Sequence, residues 1–535
     1  MEGQSKTRAN NPLDMSNYDI NKLPKREVSG FESVLRKSGG VLAVLAFVYI
    51  YFFSDFSFLK DINPDQLSAH ANNLYNQIGA DAFRIKNIGM LAIFTGAIIL
   101  WITEAIPNYL TSLIVILALV LTEVLPEVDA YHQLGHKVMW LNILSFVLAS
   151  ALVTTGIAKR FALWFVLKFG KKASSVFFSF IIINLVLSAF ISATTAKAAI
   201  LLPIFMVIAA VYGATGNSHR NNFGRNIVLQ NLLQINMGAG AFVTGSGANL
   251  LAASLIGGAI GADIFFADWM KVAMPLSISV MLLGWFVGVK IIFRLKPEER
   301  VPQIEGGLDL LKEELAKMGK LTFNEYKSIV IFSTVLLLWV TDSYHGISAT
   351  AVAFLGTVAV LLPRIGVVKW NDVQIPWHLL LFSAGAYTLG AGFKATDLPS
   401  ISVNAVFDYF NLSSQTPFWV LYVILTATML FSALVFQSKT MRTLIFIPIA
   451  IGIANRFGFS VISLALPVAF LIEHVYVLPF NSKPAALLYE TDMYSLSDTF
   501  KYGFFMMSLT WVLNLVLAET WYRYWDITPN GLGIF

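Results

Sequence analysis

The stretch that most constrains this chain is Ser188-Ala-Phe-Ile-Ser-Ala-Thr-Thr-Ala-Lys-Ala-Ala-Ile-Leu-Leu-Pro-Ile204. An apolar run enters a polar knot, Ser192 to Lys197, and a second apolar run leaves it. Neither arm holds the ~20 apolar residues a helix needs to cross a bilayer. Two short arms joined at a polar tip predict a re-entrant hairpin, whose freed backbone must be buried in protein or line a watery cavity. The pattern returns as Ser432-Ala-Leu-Val-Phe-Gln-Ser-Lys-Thr-Met-Arg-Thr-Leu-Ile-Phe-Ile-Pro448. Registered on Pro203 and Pro448, Thr195 meets Thr440 and Lys197 meets Arg442. A cation thus occupies the same slot of two apolar repeats.

Composition places the rest of the chain around these hairpins in a membrane. Of 535 residues, 56% are hydrophobic and 13% charged, where a soluble chain carries about a quarter charged. The class is an all-α polytopic membrane protein. Without Cys there are no disulfides, thiolate metal sites or Cys catalysis. The net charge of +5 is small and unevenly distributed, which speaks for topology and against a nucleic-acid partner.

In chain order, residues 1–38 read as a polar cytoplasmic tail with no signal peptide, and 39–87 as a first membrane helix (40–59) with a polar connector that can hold a surface helix over Pro64–Gly79. Residues 88–295 form a first repeat: spans near 88–106, 109–126 and 138–157, a basic loop or surface helix with Lys159, Arg160, Lys168, Lys171 and Lys172, the hairpin at 175–213, a span at 226–262 broken at Gly245–Asn249, and a span at 268–294. An amphipathic cytoplasmic connector follows at 296–325. Residues 326–520 form the second repeat: spans at 327–342, 346–363 and 374–395, the hairpin at 416–456, a span at 459–490 broken at Pro479–Pro484, and a last span at 497–520. Residues 521–535 are a tail.

With the N-terminus inside, the basic clusters at 159–172, 220–225, 294–327 and 364–369 all fall on the cytoplasmic side. About eleven transmembrane helices plus two hairpins then put the C-terminus outside. The two hairpins open from opposite sides, so the halves form an inverted-topology repeat. That arrangement marks secondary transporters, with substrate at the midplane between hairpin tips and broken helices.

Trp101-Ile-Thr-Glu-Ala-Ile-Pro107, followed by Thr111-Ser-Leu113, resembles the WxTEAIP signature of the divalent anion/sodium symporter family, the dicarboxylate, citrate and sulfate carriers. The resemblance runs from about residue 88 to 520. It implies a homodimer in which each protomer has a scaffold and an elevator-type transport domain. The family's Ser-Asn-Thr tips correspond to Ala193-Thr194-Thr195 and Ser438-Lys439-Thr440. Its Thr-Pro-Pro-Asn breaks correspond to Ser246-Gly247-Ala248-Asn249 and Ser482-Lys483-Pro484-Ala485. The departures carry meaning. In sodium-coupled members, Ser and Asn side chains with backbone carbonyls at the tips hold sodium. Here the first Ser-Asn is Ala193-Thr194 and the second Asn is Lys439. Two residues beyond each motif stand Lys197 and Arg442, and exchangers of the family, such as plastid dicarboxylate translocators, resemble this chain in placing an Arg there. A resident cation repels sodium and supplies its charge.

The chemistry is consistent with that resemblance. A dianion in low dielectric needs compensating charge or oriented dipoles. Helix starts at Thr195 and Thr440 offer unpaired N–H groups, and Ser192, Thr194, Thr195, Ser438 and Thr440 offer hydroxyls. Lys197, Lys439, Arg442 and Lys483 bring up to four cations, Arg442 with a two-pronged grip on a carboxylate. The candidate substrate site is therefore Ser192, Thr194, Thr195, Lys197, Ser246, Gly247, Asn249, Ser438, Lys439, Thr440, Arg442, Asn481, Ser482, Lys483 and Pro484, with no metal and no cofactor. The partners expected are a succinate-, malate- or 2-oxoglutarate-like dianion, the lipid bilayer and a second copy of the chain.

Competing readings stand beside these. Lys197 and Lys439 could snorkel to the interface. Glu473-His474 suggests either a proton relay or a buried pair satisfying hairpin groups. Glu104 could cap the Pro107 bend, and Trp521, Tyr522 and Trp525 could anchor at the interface. Asn411-Leu-Ser413 is a glycosylation sequon. His132 and His136 lack a third metal ligand nearby, and no HExxH, Walker or GxSxG motif supports catalysis. The expected function is exchange of small divalent organic anions without sodium, with sodium- or proton-coupled dicarboxylate, citrate or sulfate symport as the alternative within transport. A channel or non-transporting receptor on the same fold is the alternative outside it.

Overall fold

The apolar runs fold as helices, and among the described residues there are no strands. The computed structural model describes residues 13–18, 30–60, 62–170, 172–216, 220–304, 306, 308–409, 416–436 and 438–533. The Asn411–Ser413 sequon, Lys171 and most of the N-terminal tail lie outside them. Among the described residues, eight helical segments are long and apolar enough to cross a membrane, and the chain is a polytopic membrane protein. Every span read from hydropathy carries a helix. Asn108–Leu121 and Ala349–Leu361, however, have only 14 and 13 residues, about 20 Å at helical rise.

These two short helices pack across the halves. Asn108–Leu121 lies along Trp377–Thr396, and Ala349–Leu361 along Lys137–Thr154. The first crossing is close because of Gly385: a Cβ there would stand 2.4 Å from the Ser112 Cβ. Ser112 also donates to the Phe382 carbonyl at 3.2 Å.

The same order of elements occurs twice. Helix Lys137–Thr154 turns at Gly156, φ 73°, into the basic helix Ile157–Phe169. Helix Trp377–Thr396 turns at Asp397, φ 52°, into Leu398–Tyr409. This last helix is absent from the sequence reading because it is short and lacks a clear apolar stripe. The carboxylate of Asp397 secures its start by accepting the Ser68 N–H at 2.7 Å. A hairpin follows each: Ala173–Phe190 with Thr194–Val211, then Phe418–Phe431 with Lys439–Phe457. The broken spans come next, Asn222–Gly240 with Gly247–Ile260 and Val461–Ala469 with Lys483–Tyr489. Between the last two helices, residues 470–482 contain no helix.

Helix Asn222–Gly240 is polar yet buried almost throughout. Protein replaces water as the partner of its amides, as membrane depth requires. Asn184 Nδ2 reaches Asn231 Oδ1 and Gln234 Oε1, both at 3.2 Å, and Asn226 Nδ2 reaches the Phe293 carbonyl at 2.8 Å. In the connector, helix Asp309–Lys317 buries Leu311. Arg160 ties it down, binding the Met318 and Gly319 carbonyls at 2.7 and 2.8 Å and Glu325 at 2.5 Å. Lys317, hydrogen-bonded to Glu314, together with nearby Lys159 holds that carboxyl below its usual range.

Two expectations need correction. Glu104 takes a left-handed turn at φ 47° and pairs with Arg36 at 2.8 Å, so its carboxylate serves the first helix and not the Pro107 bend. Tyr522 is buried, with its hydroxyl on Asn514 Oδ1 at 3.2 Å. Trp525 alone of that trio is well exposed.

Candidate functional site

Both hairpin tips and both helix breaks meet at one cavity of about 1640 Å³. One wall carries Ser192, Thr194, Thr195, Ser246, Gly247, Ser438, Lys439, Thr440, Asn481, Ser482, Lys483 and Pro484. The rest of the lining includes Trp101, Pro107, Asn142, His378, Phe382 and Ser383. The cavity extends to Lys159, Glu314 and Asp372, at the end that the charge pattern predicts to be cytoplasmic.

The tips are helix starts. Ser438 caps the second, accepting the Met441 N–H at 3.3 Å. In the first, Ala193 holds the cap position and has no side chain to accept. First-turn N–H groups lack intrahelical partners, so both starts present donors and positive dipole ends at the cavity. Ser192 Oγ is buried and has no hydrogen-bond partner among the described residues. Among the donor-bearing residues at the tips, Thr194 is nearly buried, while Thr195 and Thr440 are half-buried.

Lys197 and Arg442 are not on the cavity wall. Both are fully buried, one turn behind the tips. The Lys197 ammonium donates to Ser188 Oγ at 2.6 Å and the Ile235 carbonyl at 3.2 Å. Arg442 donates to Ser432 Oγ at 2.9 Å, to the Ile472 carbonyl at 3.1 Å and to the Met429 carbonyl. The expected two-pronged grip of Arg442 on a carboxylate is therefore corrected: its guanidinium is engaged by its own hairpin and the unwound segment. Neither residue snorkels. Each lies in matched surroundings of one serine hydroxyl and backbone carbonyls.

Asn249 is also off the wall. Its Nδ2 binds the Ala239 and Phe242 carbonyls at 2.9 and 3.0 Å and so braces the first break. Asn481 does the same in the second, donating to the Ala433 carbonyl at 2.5 Å and accepting the Leu478 N–H at 2.7 Å. Lys439, half-buried on the wall, forms an ion pair with Glu473 at 2.6 Å. Glu473 also accepts the Ser246 hydroxyl at 2.5 Å. Lys483 is exposed on the wall.

Residues 80–527 match the family described as the sodium:sulfate symporter transmembrane region. The chain belongs to this family. Among curated proteins the chain is similar to the sodium-dependent dicarboxylate transporter of Staphylococcus saprophyticus, 25% identical over 513 residues, 91% of this chain and 96% of that one. The spinach (Spinacia oleracea) chloroplastic dicarboxylate transporter 2 is 27% identical over 447 residues, 81% of this chain and 77% of its own. A Cupriavidus necator protein named only as a membrane protein is 24% identical over 456 residues, covering 81% and 87%. The family is one of transporters, not enzymes.

Sequence reasoning reached some of these residues and missed others. Glu473, read with His474 either as a proton relay or as a buried pair satisfying hairpin groups, pairs with Lys439 of the second tip and accepts from Ser246. Asn142, His378 and Ser383 of the lining belong to no repeated motif, so no sequence signal singled them out.

Proposed function

We propose that this chain is a secondary active transporter of small dicarboxylate dianions, of the succinate, malate or 2-oxoglutarate kind, working as a sodium-independent exchanger. The observation that carries the reading is the matched pair Lys197 and Arg442. Each holds a fully buried charge among oxygens one turn behind a tip that borders the cavity. The Lys197 ammonium has two oxygen partners and the Arg442 guanidinium three. Their charge acts on a cavity anion through low dielectric, where Coulomb attraction is weakly screened. The tip N–H groups, Ser192, Thr195, Ser438 and Thr440 then orient the carboxylates, and Lys439 and Lys483 meet them directly. Without an anion the buried charges are uncompensated. The empty carrier therefore moves reluctantly, and exchange becomes obligatory.

The printed names of the two dicarboxylate transporters support the substrate class. The sodium dependence named for the staphylococcal relative favours a second reading, dicarboxylate symport with sodium held by other groups. The repeated element order and cross-half packing support an inverted repeat with a mobile hairpin body moving against the rest of the protein. The family resemblance supports a homodimer, and the basic clusters support a cytoplasmic N-terminus and an outer C-terminus. The test is labelled succinate uptake into proteoliposomes with and without internal succinate. Uptake only into loaded vesicles fits the exchanger; net uptake into empty vesicles overturns it.

A further inference from the structure

We infer that Glu473 sets the charge of the anion that the cavity accepts; the inference rests on the dianion-carrier reading above. Glu473 lies in the unwound segment between the helices of the second broken span and is 1% exposed. It receives Lys439 Nζ at 2.6 Å and Ser246 Oγ at 2.5 Å. One carboxylate thus joins the second hairpin tip to the first helix break, directly behind two groups of the cavity wall. The carbonyl of the preceding residue, Ile472, accepts from Arg442 at 3.1 Å, which brings that buried guanidinium beside it. His474 beside it has Nδ1 at 3.2 Å from the Leu471 carbonyl and no partner for Nε2 among the described residues.

Around the tips, Lys439, Lys197 and Arg442 stand against Glu473, formally three cations to one carboxylate and a surplus of two. Lys483, exposed to the open cavity, is screened by water and counts for less. A surplus of two matches a dianion. A monoanion leaves charge uncompensated in low dielectric, and a trianion brings too much. Glu473 is what keeps the surplus at two. Neutralising it without changing its shape makes the site suit a trianion. Neutralising Lys439 instead makes it suit a monoanion, and neutralising both restores the dianion preference. A carboxylate that merely braced the tip would weaken all anions alike when removed.

The experiment is calorimetric binding of succinate, tricarballylate and monomethyl succinate to the purified full-length chain, at a mildly alkaline pH where all carboxyls are ionised. The proteins are wild type, Glu473→Gln, Lys439→Gln and the double variant. Expected for Glu473→Gln is a shift of the tricarballylate-to-succinate affinity ratio toward the trianion by on the order of tenfold or more. Expected for Lys439→Gln is a comparable shift toward the monoanion, and for the double variant a return to the wild-type ratio. Unchanged ratios in the folded variants overturn the inference while the carrier reading stands. If Glu473→Gln does not fold, Lys439→Gln decides by itself: no shift toward the monoanion overturns the inference. Wild type that binds none of the three overturns the carrier reading and the inference with it.

Discussion

Ser246 and Ser482 hold the same backbone conformation at the two helix breaks, φ −158°, ψ 156° and φ −159°, ψ 158°. Each accepts the N–H three residues on at 3.2 Å, from Asn249 and Ala485. The two breaks are thus built alike at the residue that restarts the helix. Replacing either by Ala removes a cap worth about 1 kcal/mol. Ser246→Ala is expected to cost more, because its hydroxyl also donates to the buried Glu473 carboxylate, whereas that of Ser482 donates to the neutral Val475 carbonyl. Melting temperatures of the purified variants in detergent check this; equal losses would remove the Glu473 contact as a contributor.

Gly238 makes room for the Lys197 pocket. A Cβ there would stand 2.5 Å from Ser188 Oγ, the ammonium's ligand, and 2.9 Å from the Asn184 carbonyl oxygen. Backbone cannot give way cheaply, so Gly238→Ala is expected to cost about 1–3 kcal/mol and to slow transport by displacing Ser188. Wild-type stability and transport in this variant would show that the crossing is looser than the geometry.

Arg442→Ala leaves Ser432 and two carbonyls facing a buried void. Leaving a buried hydroxyl and carbonyls unpaired costs about 1–3 kcal/mol per group, so the melting temperature should fall along with anion affinity. Arg442→Lys keeps the charge but meets fewer of the three acceptors, and its loss should be intermediate. If Arg442→Ala melts like wild type, the guanidinium is not holding the hairpin to the unwound segment.

Lys197→Thr empties the first cation position and leaves Ser188 Oγ and the Ile235 carbonyl to a solution ion. Exchange should be lost and succinate binding should become sodium-dependent, read by titrating sodium against succinate affinity. Wild-type behaviour in this variant counts against a resident cation standing in sodium's place.

The apolar spans were legible in the sequence as helices, because hydropathy marks segments suited to the bilayer; the arms around the first polar knot, expected to be too short to cross, are 18-residue helices long and apolar enough to do so. Helix Leu398–Tyr409 was not, since twelve residues without a clear stripe give little periodic signal. Twelve of the candidate residues reach the cavity, because tips and breaks are where unpaired backbone groups must collect. The reach of Lys197 and Arg442 was misjudged for one reason. Position in a motif fixes the helical turn, while the direction of a long side chain depends on Ser188, Ile235, Ser432 and Ile472, which only the tertiary structure brings near.

The central claim, that Lys197 and Arg442 replace sodium, is tested most directly by succinate binding to the purified wild-type chain in sodium and in choline at matched ionic strength. The account predicts the same dissociation constant in both. Binding that requires sodium, or strengthens steeply with it, would contradict the claim.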